Sequence, residues 1–298
     1  MDYHQSVLLE ESIEGLNIKP NGIYVDATFG GGGHSREILK KLKNGRLVAF
    51  DQDEDALQNI PNDNRIIFVR QNFRFLKNFL KYYSVDHIDG LIADLGVSSH
   101  HFDTPQRGFS FRFDTNLDMR MNMKSEFSAR NFLNDYSKAE MTRVFREYGE
   151  LKNAATLASK IYEYRNKNSL VTNHDLFEAI ASCLPRHNEN QYLAKVFQAM
   201  RIEVNKEIEH LKKLLIHTVD VLKHKGRVVI ISYHSLEDRL VKNFFRNGNF
   251  SAKNKTDLYG NVIRPLIPVN RKVIVPDEAE IKQNSRSRSA RLRIAEKP

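Results

Sequence analysis

The sequence is short of several things, and each shortage excludes something. Its 298 residues include one cysteine, Cys183, and no tryptophan. A single thiol rules out an intrachain disulfide framework and a cysteine metal cluster. A reducing, cytoplasmic compartment is the simple expectation. No apolar run approaches the length needed to span a bilayer, so no membrane role is expected. The opening stretch MDYHQSVLLEESIEGL carries acids early and lacks the basic-then-apolar order of a secretory leader. Negative charge is the scarcer sign. There are 46 Lys and Arg against 37 Asp and Glu, a net charge of +9, which points toward a polyanionic partner. The length suits one large domain, or one domain carrying an insertion.

What is present is an alternation of apolar strand patterns and helix patterns through the first third. Strands are expected at 23–26, 46–51, 65–69 and 88–94, with helices at 34–43, 54–60 and 73–83. Strands apolar on both faces, separated by helices, predict an α/β fold with a mostly parallel sheet. The pattern stops after about residue 104. Ser137-Lys138-Ala139-Glu140 and Thr172-Asn173-His174-Asp175 read as helix starts, so 105–191 is expected to be an inserted all-helical domain. The discontinuous remainder, 1–104 and 192–298, forms the sheet-bearing domain. It resumes with a long helix over 196–223, a strand at 227–233, a helix at 236–246, and strands near 272–275 and 290–295.

The first strand ends on Asp26, and Gly30, Gly31, Gly32 and Gly33 follow. Strand, acid, glycine turn and helix make the opening unit of a nucleotide-binding sheet. A dinucleotide fingerprint needs a third glycine at position 35, which is Ser35. What remains is D-x-x-x-G-x-G. Its carboxylate would repel a pyrophosphate but suits a cationic, hydroxyl-bearing ligand such as S-adenosylmethionine. Asp51, at the end of the second strand, stands where a carboxylate accepts ribose hydroxyls; capping the next helix is its alternative, which Asp53 also fits. Phe73 either covers an adenine or joins the core.

The fourth strand ends in Asp94-Leu95-Gly96-Val97-Ser98-Ser99, a carboxylate and two hydroxyls beside a glycine turn. The fifth ends in Tyr233-His234-Ser235-Leu236-Glu237-Asp238. Ser235 with Asp238 reads as a capping box, which leaves His234 to chemistry. Arg107, Arg112 and Arg120 lie among aromatics in RGFSFRFDTNLDMRM, which suits phosphates and stacked bases as well as it suits a buried salt-bridged cluster. The tail arginines Arg286, Arg288, Arg291 and Arg293 fit either phosphate contact or a solvated edge. Cys183 lies in an apolar helical run far in sequence from every strand end. Pyrimidine carbon-five methylation needs an activated thiolate, so direct transfer to nitrogen or oxygen is the expected chemistry.

Taken together, HQSVLLEE, DATFGGGGHS, AFDQD, DLGVSS, RGFSFRFDTNLDMRM, FQAMRIEVN, SYHSLEDR and SRSRSARLRIAEK cover the chain nearly end to end. In these motifs it resembles the bacterial small-subunit ribosomal RNA cytosine-N4 methyltransferases, the RsmH or MraW family. The resemblance implies a Rossmann-like class I SAM-dependent methyltransferase domain interrupted by a helical substrate-recognition domain. It implies S-adenosylmethionine as cofactor and 16S rRNA of the small ribosomal subunit as partner, with methyl transfer to N4 of a cytidine in the decoding region. Cofactor residues carry over as Gly32, Gly33, His34, Asp51, Phe73 and Asp94. Asp26, Gly30 and His101 are added, although His101 stands where a glutamine is common.

The expected reaction is an in-line displacement without a metal. Asp94 is the acceptor for the amine and His234 a late proton acceptor or a positioning group. Arg107, Arg112, Ser98 and Ser99 are the substrate candidates. A nicotinamide-dependent dehydrogenase and a non-catalytic RNA-binding protein are the rival readings, and a homodimer is left open.

Overall fold

The computed structural model describes residues 6–97, 103–254, 256–260 and 262–298. Ser98, Ser99 and His101 lie outside the described residues. The chain divides into two compact units, Met1–Gly96 with Ile208–Pro298, and Val97–Glu207. The helical unit thus runs from 97 to 207 and takes in a helix that the sequence reading gave to the sheet.

The first unit is built on strands β1 (Ile23–Asp26), β2 (Arg46–Phe50), β3 (Ile66–Val69), β4 (Ile88–Asp94), β5 (Leu222–Ser232), β6 (Ile267–Pro268) and β7 (Arg291–Glu296). Their order is β3-β2-β1-β4-β5-β7-β6. The first five run parallel, and β7 lies antiparallel to β5. Strand order reverses between β1 and β4, and in open α/β sheets ligands bind beyond the carboxyl ends of strands at that point. The expected strand near 272–275 is only a bridge between Ile274 and Leu292, and the edge strand is Ile267–Pro268 instead.

Alternation along the strands feeds two apolar layers. Val25, Val48, Leu91, Ala93, Val228 and Ile230 face one side. They meet Leu76 and Leu80 of α3 (Leu76–Tyr82), Leu211 and Leu215 of α9 (Glu207–Val221), and Val241 and Phe245 of α10 (Ser235–Asn247). Tyr24, Leu47, Ile92, Val229 and Ile231 face the other side. They meet Ile13 and Leu16 of α1 (Leu9–Leu16) and Ile38 and Leu39 of α2 (Gly33–Lys41).

The second unit packs α4 (Ala129–Asp135), α5 (Lys138–Glu147), α6 (Ala154–Arg165), α7 (Asn173–Ile180) and α8 (Glu189–Asn205) around its own core of Phe132, Phe145, Leu157, Ile161, Leu176 and Met200. Ser128, Ser137 and Thr172 each open a helix with a reciprocal capping box. The expected single helix over 196–223 is two helices. Lys206 takes a left-handed φ of 53° and separates α8 from α9, and β5 already begins at Leu222.

Candidate active site

The turn after β1 is fixed by its neighbours so that its carbonyls are occupied. The Asn59 amide donates to the Gly30 carbonyl at 3.1 Å, and Arg36 donates to that of Gly31 at 2.7 Å. Gly32 has φ 74°, and a Cβ there would lie 2.8 Å from the Phe29 ring. At Gly33 a Cβ would collide with Ser6 Oγ. Beside Gly30 and Gly31 there is open space, with nothing nearer than 4.0 Å to an added Cβ. Helix α2 starts immediately afterwards, and its first intrahelical bond is Arg36 N–H to the Gly32 carbonyl. The N–H groups of Gly33, His34 and Ser35 therefore form a helix N-terminus, which favours an anionic group.

Asp51 holds this turn in place. One carboxylate oxygen accepts from Gly30 N–H at 2.7 Å and the other from Asp53 N–H at 2.9 Å. It stays half-buried. The capping alternative falls to Asp53, whose side chain accepts from Asp55 N–H at the start of a 3-10 turn. Phe73 opens another 3-10 turn after β3, half-buried against the sheet core.

Two of the expected cofactor residues are turned differently from the sequence reading. Asp26 is buried, accepting from Ser35 Oγ at 2.7 Å and Thr28 N–H at 3.1 Å. It braces the turn, and burial lifts its carboxyl from 3.8 to about 6. The His34 imidazole is also buried, with Nε2 3.2 Å from the Val7 carbonyl. A carbonyl can only accept, so Nε2 carries the proton. Burial lowers its pKa to about 4 and keeps the ring neutral. Only the backbone N–H of His34 remains for a ligand.

At the end of β4, Asp94 N–H donates to Thr28 Oγ1 at 2.7 Å, which ties the ends of β1 and β4 together. The Asp94 carboxylate accepts from the Tyr233 hydroxyl at 2.7 Å. Burial lifts Asp94 to about 7, with Asp26, Glu237 and Glu280 adding like-charge repulsion against the Tyr233 hydrogen bond. The Tyr233 phenol is pushed well above its ordinary range by burial and by Asp94, so it remains the donor. Tyr233 was not singled out from the sequence. Its only signal there was its position beside His234 at the end of the fifth strand.

His234, and not Ser235, is the cap of α10. Its Nδ1 accepts from Glu237 N–H at 3.5 Å, and its Nε2 lies 3.2 Å from Glu237 Oε1. The other Glu237 oxygen accepts from Tyr233 N–H at 3.1 Å. Nδ1 serves as the cap, while Nε2 is buried and makes no hydrogen bond among the described residues despite its nearness to Glu237, so the proton-acceptor and positioning roles expected of His234 both stand as proposals. Asp238 is no cap either, because it pairs with Arg293 at 2.7 Å and Arg291 at 3.1 Å. Those two tail arginines are engaged within the fold.

In the helical unit the arginines separate. Arg107 is buried, and its guanidinium donates to the carbonyls of Arg120 and Met121 at 3.2 and 3.1 Å. Arg120 pairs with Asp118 at 2.7 Å. Both brace the loop, so the substrate role expected of Arg107 is corrected. Arg112 is exposed beside the exposed Phe113. The fully buried Asn173 donates to the carbonyls of Ser110 and Phe113 and pins the segment that carries Arg112. Cys183 is half-buried against the helical core, and burial pushes its thiol up, opposite to an activated nucleophile.

The sequence profile described as the MraW methylase family matches residues 1–298. The chain is 55% identical over 298 residues to the ribosomal RNA small subunit methyltransferase H of Bacteroides thetaiotaomicron, covering 100% of this chain and 98% of that one. It is 52% identical over 298 residues to the protein of the same name from Flavobacterium johnsoniae, again covering 100% and 98%.

Proposed function

This chain belongs to the MraW methylase family, and we propose that it methylates the exocyclic N4 amine of a cytidine in small-subunit ribosomal RNA. S-adenosylmethionine is its methyl donor and supplies an electrophilic methyl carbon on a sulfonium. The residues present fit that group. The α2 N-terminus suits its carboxylate, Asp51 its ribose hydroxyls, and the open side of Gly30 and Gly31 admits it without a clash. Phe73 fits the adenine as a partly buried apolar ring.

The observation that carries the reading is the half-buried Asp94 carboxylate, fixed by Tyr233 at the strand-order reversal. The lone pair of a cytosine amine is delocalised into the ring and attacks poorly. Asp94, once ionised, accepts a hydrogen bond from that amine, which draws nitrogen toward a tetrahedral geometry, and then takes its proton. Tyr233 holds the acceptor in one rotamer. Glu237 accepts from the Tyr233 N–H and holds its backbone. The cytidine must be single-stranded or flipped out, because the amine is otherwise paired.

Substrate recognition is assigned to the helical unit, with Arg112 and Phe113 as its contacts to phosphate and base. The test is incubation of small ribosomal subunits with labelled methyl donor, followed by nucleoside mass spectrometry of the 16S rRNA. N4-methylcytidine is expected. Label in any other nucleoside, or none, overturns the proposal.

A further inference from the structure

The segment after α10 departs from the ordinary rule for apolar side chains. Leu258 is 101% exposed and Tyr259 90% exposed, and Ile263 nearby is 58% exposed. These are not frayed residues on a featureless loop. An antiparallel bridge joins Thr256 to Val262. Inside it, Gly260 N–H donates to the Asp257 carbonyl at 3.1 Å, and Tyr259 N–H donates to Asp257 Oδ1 at 2.9 Å. Gly260 takes φ 84°, which closes the turn. The result is a small hairpin whose tip presents a leucine and a tyrosine to water.

The hairpin is anchored to the far end of α10. Gly248, with φ 68°, caps that helix, and a Cβ there would lie 2.6 Å from the Ile263 carbonyl. A helix of 13 residues is about 20 Å long. The hairpin root therefore stands about that distance from His234 at the other end of α10.

The sequence that flanks the tip carries charge of mainly one sign. Residues 252–275 contain Lys253, Lys255, Arg264, Arg271 and Lys272 against a single acid, Asp257, whose carboxylate accepts within the turn. No carboxylate pairs with Lys253, Arg264, Arg271 or Lys272 among the described residues. A cationic surface tipped by an exposed aromatic is the composition that binds single-stranded nucleic acid. Cations track the phosphates, and the ring offers a face to any unpaired base.

We infer that the Thr256–Val262 hairpin is a second RNA-contacting surface, on which Tyr259 stacks against an unpaired base while the directly flanking Lys253 and Arg264 meet phosphate. It rests on the reading of the substrate as ribosomal RNA, and it adds an anchoring contact away from the methyl-transfer site.

The test uses the full chain. Binding of purified small ribosomal subunits and of a fluorescein-labelled 20-nucleotide single-stranded RNA is measured across a salt series. Wild type is compared with Tyr259→Ala and with Lys253→Ala/Arg264→Ala. Tyr259→Ala is expected to weaken RNA binding about tenfold with little change in salt slope. The double variant is expected to reduce the slope of log affinity against log salt by about 0.7 for each phosphate it no longer neutralises. Melting temperature and S-adenosylmethionine affinity are expected to stay at wild-type values. Unchanged RNA affinity in Tyr259→Ala overturns the inference, whether or not wild type methylates 16S rRNA. So does loss of concentration-dependent self-association with RNA affinity retained, which would make the hairpin a contact for a second copy. Absence of methyl transfer by wild type, with the Tyr259 effect present, sinks the cytidine reading alone.

Discussion

Replacing Asp94 with asparagine should make the protein more stable and the enzyme slower, and the stability gain should depend on pH. The carboxyl is lifted from 3.8 to about 7, chiefly by burial. A carboxyl raised on folding contributes stability that is fully present below 3.8 and is lost as pH rises through about 7. Complete loss corresponds to about 4 kcal/mol at about 1.4 kcal/mol per pH unit. The side chain keeps part of its surface in water, so screening reduces the expected cost to about 2 kcal/mol. Asparagine keeps the shape and an oxygen that accepts from Tyr233, and it removes the charge. For a unit of this size the gain is roughly 4–8 °C in melting temperature at pH 8.

The assay is thermal melting of wild type and Asp94→Asn between pH 4 and pH 8.5. The gap should be near zero at pH 4, open through neutrality and level off above pH 8. Asp26, which titrates at about 6, is present in both proteins. Its own contribution largely cancels, apart from relief of its repulsion with Asp94. Methyl transfer by the variant should fall by about 10²–10⁴-fold, the usual value of a positioned proton acceptor. A gap of equal size at pH 4 and pH 8 would refute the reasoning, as would a variant less stable than wild type at pH 8.

Tyr233→Phe removes the donor that favours the Asp94 anion, so the acid limb of the pH–rate profile should move to higher pH; an unmoved limb would sever Tyr233 from Asp94. Asp51→Ala should weaken S-adenosylmethionine binding by about 2–3 kcal/mol through the lost charge-assisted bonds, and unchanged affinity by calorimetry rules out the ribose role. Arg107→Ala should lower the melting temperature and leave the salt slope of RNA binding intact, whereas Arg112→Ala should lower the slope and spare the melting temperature; the reverse pattern would restore Arg107 to the substrate. Cys183→Ser should turn over at the wild-type rate, and a folded but inactive variant would overturn direct transfer.

The parts of the site that were legible in the sequence are those carried by short contiguous runs. The glycine turn, Asp51 and Asp94 each close a strand, and a parallel sheet brings strand ends to one edge whatever lies between them. What pairing decides was not legible. Tyr233 and Asp94 are 139 residues apart and meet only because β4 and β5 are neighbours in register. Composition cannot distinguish a guanidinium that donates to interior carbonyls, as in Arg107, from one held out to water, as in Arg112. The cap of α10 went to histidine, a residue without a strong capping preference, while the serine became the first helical residue and the aspartate paired with an arginine. The break at Lys206 has the same origin. Lysine carries no intrinsic liking for a left-handed φ, and it is held there by the chain turning from α8 into α9. That unseen turn also moved the unit boundary. The stripe Leu193, Val196, Phe197 and Met200 would serve a sheet or a helical core equally well, and only the break assigns it to the helical one.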